Sequence, residues 1–205
     1  GDFSACGGFT YTSGILNATG STIDFTCVGG VSMNAGSAHF DSVKFSENTT
    51  ITGFLNIDGD LTLNGSYALN AGEVLVAGNV TSSSWSQGTS AMTFNGAGLQ
   101  TITSSAVSEL PTSAFKIDKA SGTVVLANAI SLNGAGQDLN ILDGDLDLNG
   151  FDLTVNDQLN VGDGSGAASS ARILKACSTI TAGTQTVNPT DGEIVGSSSN
   201  PNITI

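Results

Sequence analysis

The sequence predicts an all-β protein that folds as a single-domain parallel β-solenoid (β-helix) with about 20 residues per coil. Three observations lead to this prediction: short alternating strands, a turn motif that keeps returning, and two near-identical stretches separated by several coil lengths. The composition agrees, because Gly occurs 27 times and charged residues make up only 11% of the 205 residues. Helices are usually richer in Glu, Lys and Arg.

Short runs in which apolar and polar residues alternate recur throughout the chain, among them "LTL", "VLV" and "LDL". Alternation places one side of a strand in a core and the other side in solvent. The runs are separated by an apolar residue, then Asn, then Gly or Ala. Asn and Gly tolerate left-handed backbone conformations, so each such pair can turn the chain after a strand.

Two sets of repeats indicate the length of a coil. The stretches "LNIDGDLTLNG" at Leu55 and "LNILDGDLDLNG" at Leu139 end in Asn-Gly turns whose separation is close to four coils of about 21 residues. "NGAG" at Asn95 returns at Asn133, a separation that equals two coils of about 19 residues. One coil cannot bury its own apolar face, so repeats of this length stack. A β-sandwich uses similar strands but does not explain these periods. The length allows roughly ten coils.

The pattern divides the chain into three regions. Residues 1–14 form an N-terminal segment or cap, residues 15–175 the solenoid stack, and residues 176–205 a C-terminal cap or a tail that contacts another subunit. The ends of a solenoid expose unpaired backbone groups that can template association. The residues predicted to contact another subunit are Phe3, Trp85, Asn202, Ile203 and Ile205.

The cysteine spacing provides a test of the coil length. The separation between Cys6 and Cys27 equals one predicted coil. Strands in adjacent coils lie about 4.8 Å apart, and a disulfide needs a Cα separation of about 4.4–6.8 Å. We therefore predict a disulfide between Cys6 and Cys27. Cys177 is left over, as either a buried thiol or a bridge to another chain.

Residues 92–161 carry a resemblance to a known class of proteins. The stretches "MTFNGAGLQTIT", "FKIDKASGTVVLANAISLNG" and "LNILDGDLDLNGFDLTV" resemble a repeat of long secreted bacterial surface proteins. In that class the repeats form β-helical stalks and adhesin-like regions. The resemblance covers about a third of the chain. It implies a solenoid, a secreted, extracellular or cell-surface location, and no catalytic residues to transfer.

The charge balance excludes two kinds of partner. Five basic residues stand against 18 acidic ones, which gives a net charge of −13. Nucleic acids and anionic membrane surfaces are bound through Lys and Arg, so neither is an expected partner. The chain also lacks the run of about 18 apolar residues that a membrane span needs, so we expect no membrane insertion.

Calcium is the one cofactor that the sequence leaves open. Asp143, Asp145 and Asp147 share one face of a predicted strand, and "DLDLNG" matches the first half of a calcium-loop pattern. That pattern requires Glu at its twelfth position, where the chain has Asn156. A calcium hand is therefore excluded. A looser calcium site on the three aspartates remains one hypothesis, and a solvated acidic surface is the other.

Catalytic patterns known from β-helical polysaccharide lyases and hydrolases do not match this chain. The only arginine, Arg172, stands in "RILK", and the only histidine, His39, lacks flanking glycines. His39 and Asp41 fall on one strand face, where a carboxylate could orient the imidazole. No nucleophile stands near them, so we expect the protein not to be an enzyme.

The sequence therefore predicts an extracellular structural protein. It would be a β-solenoid subunit of a surface fibre or filament, or an adhesin stalk, and it would self-associate head to tail through its ends. The alternative is a carbohydrate-binding or polysaccharide-degrading β-helix module, with surface glycans as its partners.

Overall fold

The computed structural model describes residues 2–14, 16, 18–26, 28–65, 67–83, 88–104, 110–165, 170–196 and 203–204. In these ranges the chain forms strands and turns but no helix, and it winds into a β-solenoid of about 8 turns with roughly 21 residues per turn. The predicted fold class is confirmed. The expectation of ten coils was too high, because several coils are longer than the predicted repeat.

The strands range from 2 to 12 residues in length. Along the described part of the chain they are β1 (Phe3–Ala5), β2 (Phe9–Thr10), β3 (Thr22–Phe25), β4 (Val31–Asn34), β5 (His39–Phe40), β6 (Ser42–Phe45), β7 (Thr49–Ile51), β8 (Phe54–Ile57), β9 (Leu61–Asn64), β10 (Leu69–Asn70), β11 (Glu73–Val76), β12 (Val80–Ser83), β13 (Ala91–Phe94), β14 (Gln100–Ser104), β15 (Phe115–Leu126), β16 (Ile130–Leu132), β17 (Leu139–Asp147), β18 (Leu153–Val161), β19 (Ala171–Ala176), β20 (Ile180–Val187), β21 (Gly192–Gly196) and β22 (Ile203–Thr204).

The strands pair in parallel with their counterparts in the neighbouring coils. Eighteen of them form one continuous sheet, and β2, β4, β7 and β10 form a second. The pairing of β8, β11, β13, β15 and β17 links the two near-identical stretches through four successive steps. The buried residues in this row are Leu55, Val74, Met92, Phe115 and Leu139. The predicted separation of four coils is confirmed.

The two "NGAG" copies lie at different corners of the solenoid. Asn95 follows β13, whereas Asn133 follows β16, and these strands belong to different rows. The interpretation of their separation as two short coils was therefore wrong. Coils in this region are longer, with Met92 paired to Phe115 and Phe115 paired to Leu139. The separation of the two copies falls short of two such coils.

Each strand buries alternate side chains, and together they form one core along the stack. Phe25 and Phe45 stack with ring centroids 5.4 Å apart, and Phe9 meets Phe40 edge-on at 5.3 Å. Leu, Ile and Val fill most of the later coils. Leu146 and Leu148 are buried, as the alternation in "LDLNG" predicts.

The parallel ladder extends beyond both predicted boundaries of the stack. Near one end β1 pairs with β3 and β2 with β4, and near the other β19 pairs with β21 and β20 with β22. A terminal coil can belong to the ladder and also cover the core. The capping roles of residues 1–14 and 176–205 therefore stay predictions.

Candidate functional site

The acidic face of β17 is the most charged strand surface that the sequence singled out. Asp143, Asp145 and Asp147 are half-buried there, and the buried Leu146 separates the last two. The register places Arg172 beside Asp145 in the next coil. The Nε and Nη2 atoms of Arg172 donate to the two carboxylate oxygens of Asp145, both at 2.7 Å. This bidentate contact with Asp145 raises the pKa of Arg172.

The contacts of these aspartates bear on the calcium hypothesis. Both oxygens of Asp145 bind Arg172, and Asp147 Oδ1 accepts the backbone N–H of Asn149 at 2.8 Å. Within the ranges that the structure describes, no group of three or more His, Cys, Asp or Glu residues could hold a metal ion. Calcium at Asp143, Asp145 and Asp147 stays a prediction, and for Asp145 it would compete with a guanidinium already in place.

Carboxylates and amides at the corners join neighbouring coils, a role that sequence reasoning missed. Their oxygens accept backbone N–H groups from the next or the preceding coil, 19 to 27 residues away along the chain. Such a bond typically contributes about 0.5–1.5 kcal/mol. Acceptor and donor residues are Asp60 with Asn79, Asp138 with Gln158, Asp152 with Thr179, Asp157 with Gly136, Asn48 with Ala68, and Asn79 with Thr101.

Many of the acids that give the chain its negative charge are thus part of the framework of the coils. An Asp placed about one coil length from a turn could have signalled this role. The signal is weak, because the spacing between acceptor and donor varies from corner to corner.

A buried glutamine follows each "NGAG" turn and fixes it to the coil before. Gln100 Oε1 accepts the N–H of Gly96 at 3.1 Å, and its Nε2 donates to Val76 O at 2.9 Å and Gly78 O at 2.6 Å. Gln137 repeats the arrangement, accepting from Gly134 N at 2.7 Å and donating to Pro111 O at 2.6 Å. The motif returns because it meets the hydrogen-bonding needs of a buried corner.

The ammonium group of Lys119 lies inside the same corner as Gln100. Lys119 is fully buried, and its Nζ donates to Gln100 Oε1 at 2.6 Å, to Gly98 O at 3.0 Å and to Gly96 O. Burial lowers the pKa of Lys119. Nothing in "FKIDKASG" distinguishes this lysine from a surface one, so sequence reasoning did not find it.

The single histidine lines a pocket of about 260 Å³ together with two aspartates. His39 Nδ1 lies 2.9 Å from Asp58 Oδ1, and the two side chains are 60% and 61% exposed. Asp41, which the sequence suggested as the partner, accepts the backbone N–H of Gly20 instead. Asp58 follows His39 by one coil of 19 residues. Exposed pairs of this kind contribute little to stability, and the absence of enzymatic activity stays a prediction.

A polar groove crosses the first coils on the outer side of β1, β3 and β6. Its volume is about 400 Å³, and Asp2, Ser4, Thr22, Asp24 and Lys44 line it. Lys44 Nζ binds Asp24 Oδ2 at 2.6 Å, and the N–H of Thr22 binds Asp2 Oδ1 at 2.8 Å. The charged groups of the groove thus bind to groups of the protein itself.

The predicted disulfide falls partly outside the described residues, because Cys27 is not among them. The pairing of β1 with β3 ends with Ala5 beside Phe25, and Cys6 is the next residue after Ala5. The pairing of Cys6 with Cys27 stays a prediction. Cys177 is a free thiol and is exposed, so the alternative of a buried thiol was wrong.

The predicted subunit contacts lie mostly beyond what the structure describes. Phe3 belongs to β1 and Ile203 to β22. Trp85, Asn202 and Ile205 lie outside the described residues. All five contacts stay predictions.

No protein-family model matches the chain, and neither a curated protein nor a solved structure matches it. Among the residues described, no helix is long and apolar enough to cross a membrane.

Proposed function

We propose that this chain is an extracellular structural protein, a rigid β-solenoid segment of a surface fibre or adhesin stalk that associates head to tail. One observation supports the proposal most directly. A parallel ladder continues from β1 to β21, and in the described part of the chain β1 pairs only with β3 and β21 only with β19. Each of these strands thus has one edge at which a further parallel strand could be added.

The chemistry of a strand edge favours such an addition. Backbone N–H and C=O groups need hydrogen-bond partners, and an open edge is a template for another strand. A second copy of this chain presents β1 to the open edge of β21, with the same strand direction as the rest of the ladder. A contact between unlike ends does not close on itself, so it produces a filament.

A carbohydrate-binding module is the second candidate, and the described surface supports it less well. Sugar rings stack on exposed aromatic faces. Among the side chains that the structure describes, Phe54 is the one exposed aromatic, at 55%. Glu73 lies beside it in the next coil. One isolated ring offers a single point of contact, whereas the ladder runs the length of the stack.

The test compares two lysine substitutions in one row of outward-facing residues. The row consists of Val125, Asp147, Leu174 and Val195, one from each successive coil. Val125 belongs to a strand in the middle of the ladder, whereas Val195 belongs to the edge strand β21. We expect the wild-type protein to associate with rising concentration in analytical ultracentrifugation and to form filaments under the electron microscope. Val195→Lys should weaken this association, because a charge on the edge strand opposes pairing.

Val125→Lys is the matched control and should leave the association unchanged. Melting curves of both variants confirm that the fold is kept. Deleting residues 201–205 should likewise leave monomers. A wild-type protein that stays monomeric at every concentration would overturn the proposal of head-to-tail association. A glycan array on the same sample then tests the second candidate.

A further inference from the structure

The chain contains four Asn-Gly dipeptides, and their chemistry is different from that of other asparagines. The backbone nitrogen of the glycine can attack the side-chain amide carbon of the asparagine, because glycine has no side chain to obstruct the approach. A C–N bond forms and the C–NH₂ bond breaks. Ammonia is released, and a cyclic imide remains in the chain. Water then opens the ring to aspartate or isoaspartate. The four asparagines are Asn64, Asn95, Asn133 and Asn149.

In three of the four, the attacking nitrogen is held in a hydrogen bond. Gly65 N–H donates to Ser83 O at 3.1 Å, Gly96 N–H to Gln100 Oε1 at 3.1 Å, and Gly134 N–H to Gln137 Oε1 at 2.7 Å. Each bond must break before the nitrogen can approach the amide carbon, which slows the reaction. The glycine corners of the solenoid thereby protect their own asparagines.

Packing protects the same three glycines independently. A Cβ atom added to Gly65 would collide with the ring of Tyr67, one added to Gly96 with the backbone of Ala77, and one added to Gly134 with Thr112. Gly96 and Gly134 are wedged against the preceding coil, and Gly65 lies against the ring of Tyr67 two residues further along the chain. The backbone rotation that ring closure requires would disturb these neighbours.

Asn149-Gly150 lacks both kinds of protection. Gly150 is exposed, nothing lies within 4 Å of a Cβ added to it, and its N–H has no acceptor among the described residues. Both residues are in the turn after β17, with φ values of +49° and +83°. The side chain of Asn149 is held by one bond, from Nδ2 to Leu126 O at 3.2 Å.

We propose that Asn149 is a site of spontaneous deamidation, through which water converts this corner to aspartate or isoaspartate. The product carries one more negative charge, next to Asp147. It also loses the donor that binds Leu126 in the preceding coil, and isoaspartate adds a methylene group to the backbone of the turn. The modification would loosen one corner of the stack without touching the buried row beneath it.

The experiment follows all four asparagines in one sample. The folded wild-type protein is incubated at mildly alkaline pH, and timed aliquots are mapped by peptide mass spectrometry. Asn149 should deamidate on the order of tenfold faster than Asn64, Asn95 and Asn133, the factor expected when one hydrogen bond must be broken first. Isoaspartyl methyltransferase labelling identifies the isoaspartate product.

The chain kept in denaturant is the control, and there the four rates should converge. Asn149→Gln should abolish the fast phase in the folded protein, because glutamine would have to form a larger ring. Equal rates for Asn149 and any of the other three in the folded protein would overturn the proposal. So would a fast phase that persists in Asn149→Gln.

Discussion

The coils before β15 and the coils from β15 onward build the same ladder with different strands. In the first group the strands have two to five residues, and paired residues such as Asp24 and Lys44 are 20 positions apart. In the second group strands reach 12 residues, and the pair Asp145 and Arg172 spans 27 positions. One rigid repeat length therefore does not describe the molecule.

The long strands differ because they continue through a corner. β15 pairs with β13 through Phe115 and with β14 through Val124, so one strand serves two sides of the coil. The register shifts in the middle of its pairing with β17. Extra residues at a corner change its shape, whereas the inward-facing row on each side keeps its register. The ladder constrains which residues face inward, and the corners absorb differences in length.

Substitutions in the cores of the two groups should give the largest difference in the free energy of unfolding. Phe25 is fully buried against Phe45 and Phe9, so Phe25→Ala should lower the free energy of unfolding by about 3–5 kcal/mol. Ile173→Val, in the aliphatic part, should lower it by about 0.5–1.5 kcal/mol. Urea unfolding followed by circular dichroism measures both, and a loss for Phe25→Ala no larger than that for Ile173→Val would contradict this expectation.

Replacing the buried Lys119, which lies in β15 at the boundary between the groups, should have the next largest effect on stability. Lys119→Met removes hydrogen bonds from a charged donor, worth about 1.5–3 kcal/mol, although the cost of burying the ammonium is removed as well. We expect a net loss of stability at neutral pH. Urea unfolding measures it, and Lys116→Met, which removes an ammonium paired with Glu73 at the surface, is the matched control.

The difference in stability between the wild type and Lys119→Met should depend on pH. Because burial lowers the pKa of Lys119, the unfolded chain binds more protons than the folded chain between that lowered pKa and the ordinary value of 10.5. The wild-type free energy of unfolding should therefore rise with pH across this window, relative to Lys119→Met. A difference between the two proteins that stays constant up to pH 10.5 would contradict the assignment.

Removing a corner carboxylate should lower the free energy of unfolding by a smaller amount, and by the same amount in both groups. Asp60 accepts a bond from 19 residues away and Asp152 from 27 residues away, each at 2.7 Å. Alanine at either position should cost about 0.5–1.5 kcal/mol in thermal or urea unfolding. Asparagine keeps an acceptor oxygen and should cost less. A loss confined to Asp60→Ala would mean that the longer corners do not depend on these bonds.

Calcium should have the smallest effect. Asp145 is already bound by Arg172, so we expect the same melting temperature in millimolar calcium and in EDTA. A melting temperature that rises with calcium in the wild type but not in Asp143→Asn would contradict this expectation. It would support the calcium site predicted from the sequence.

The sequence was sufficient for the parts of the fold that depend on which residues face inward. Leu55 and Leu139 lie four coils apart because both occupy one buried row, and their surroundings repeat for that reason. The corners were less predictable, since their lengths vary. The partner of His39 was also missed: it is Asp58 in the next coil instead of the nearby Asp41, because the strands of adjacent coils lie side by side.

The direction of the ladder has a mechanical consequence. The hydrogen bonds between coils run along the stacking axis, so a pulling force on the two ends acts on the coil interfaces in series. The weakest interface then sets the rupture force. Among the described strands, three of the four pairings of only two residues lie in the first group of coils, namely β2 with β4, β7 with β10 and β5 with β8, and the fourth is β20 with β22. We expect single-molecule pulling to open that group first, coil by coil, while the long bent strands still hold.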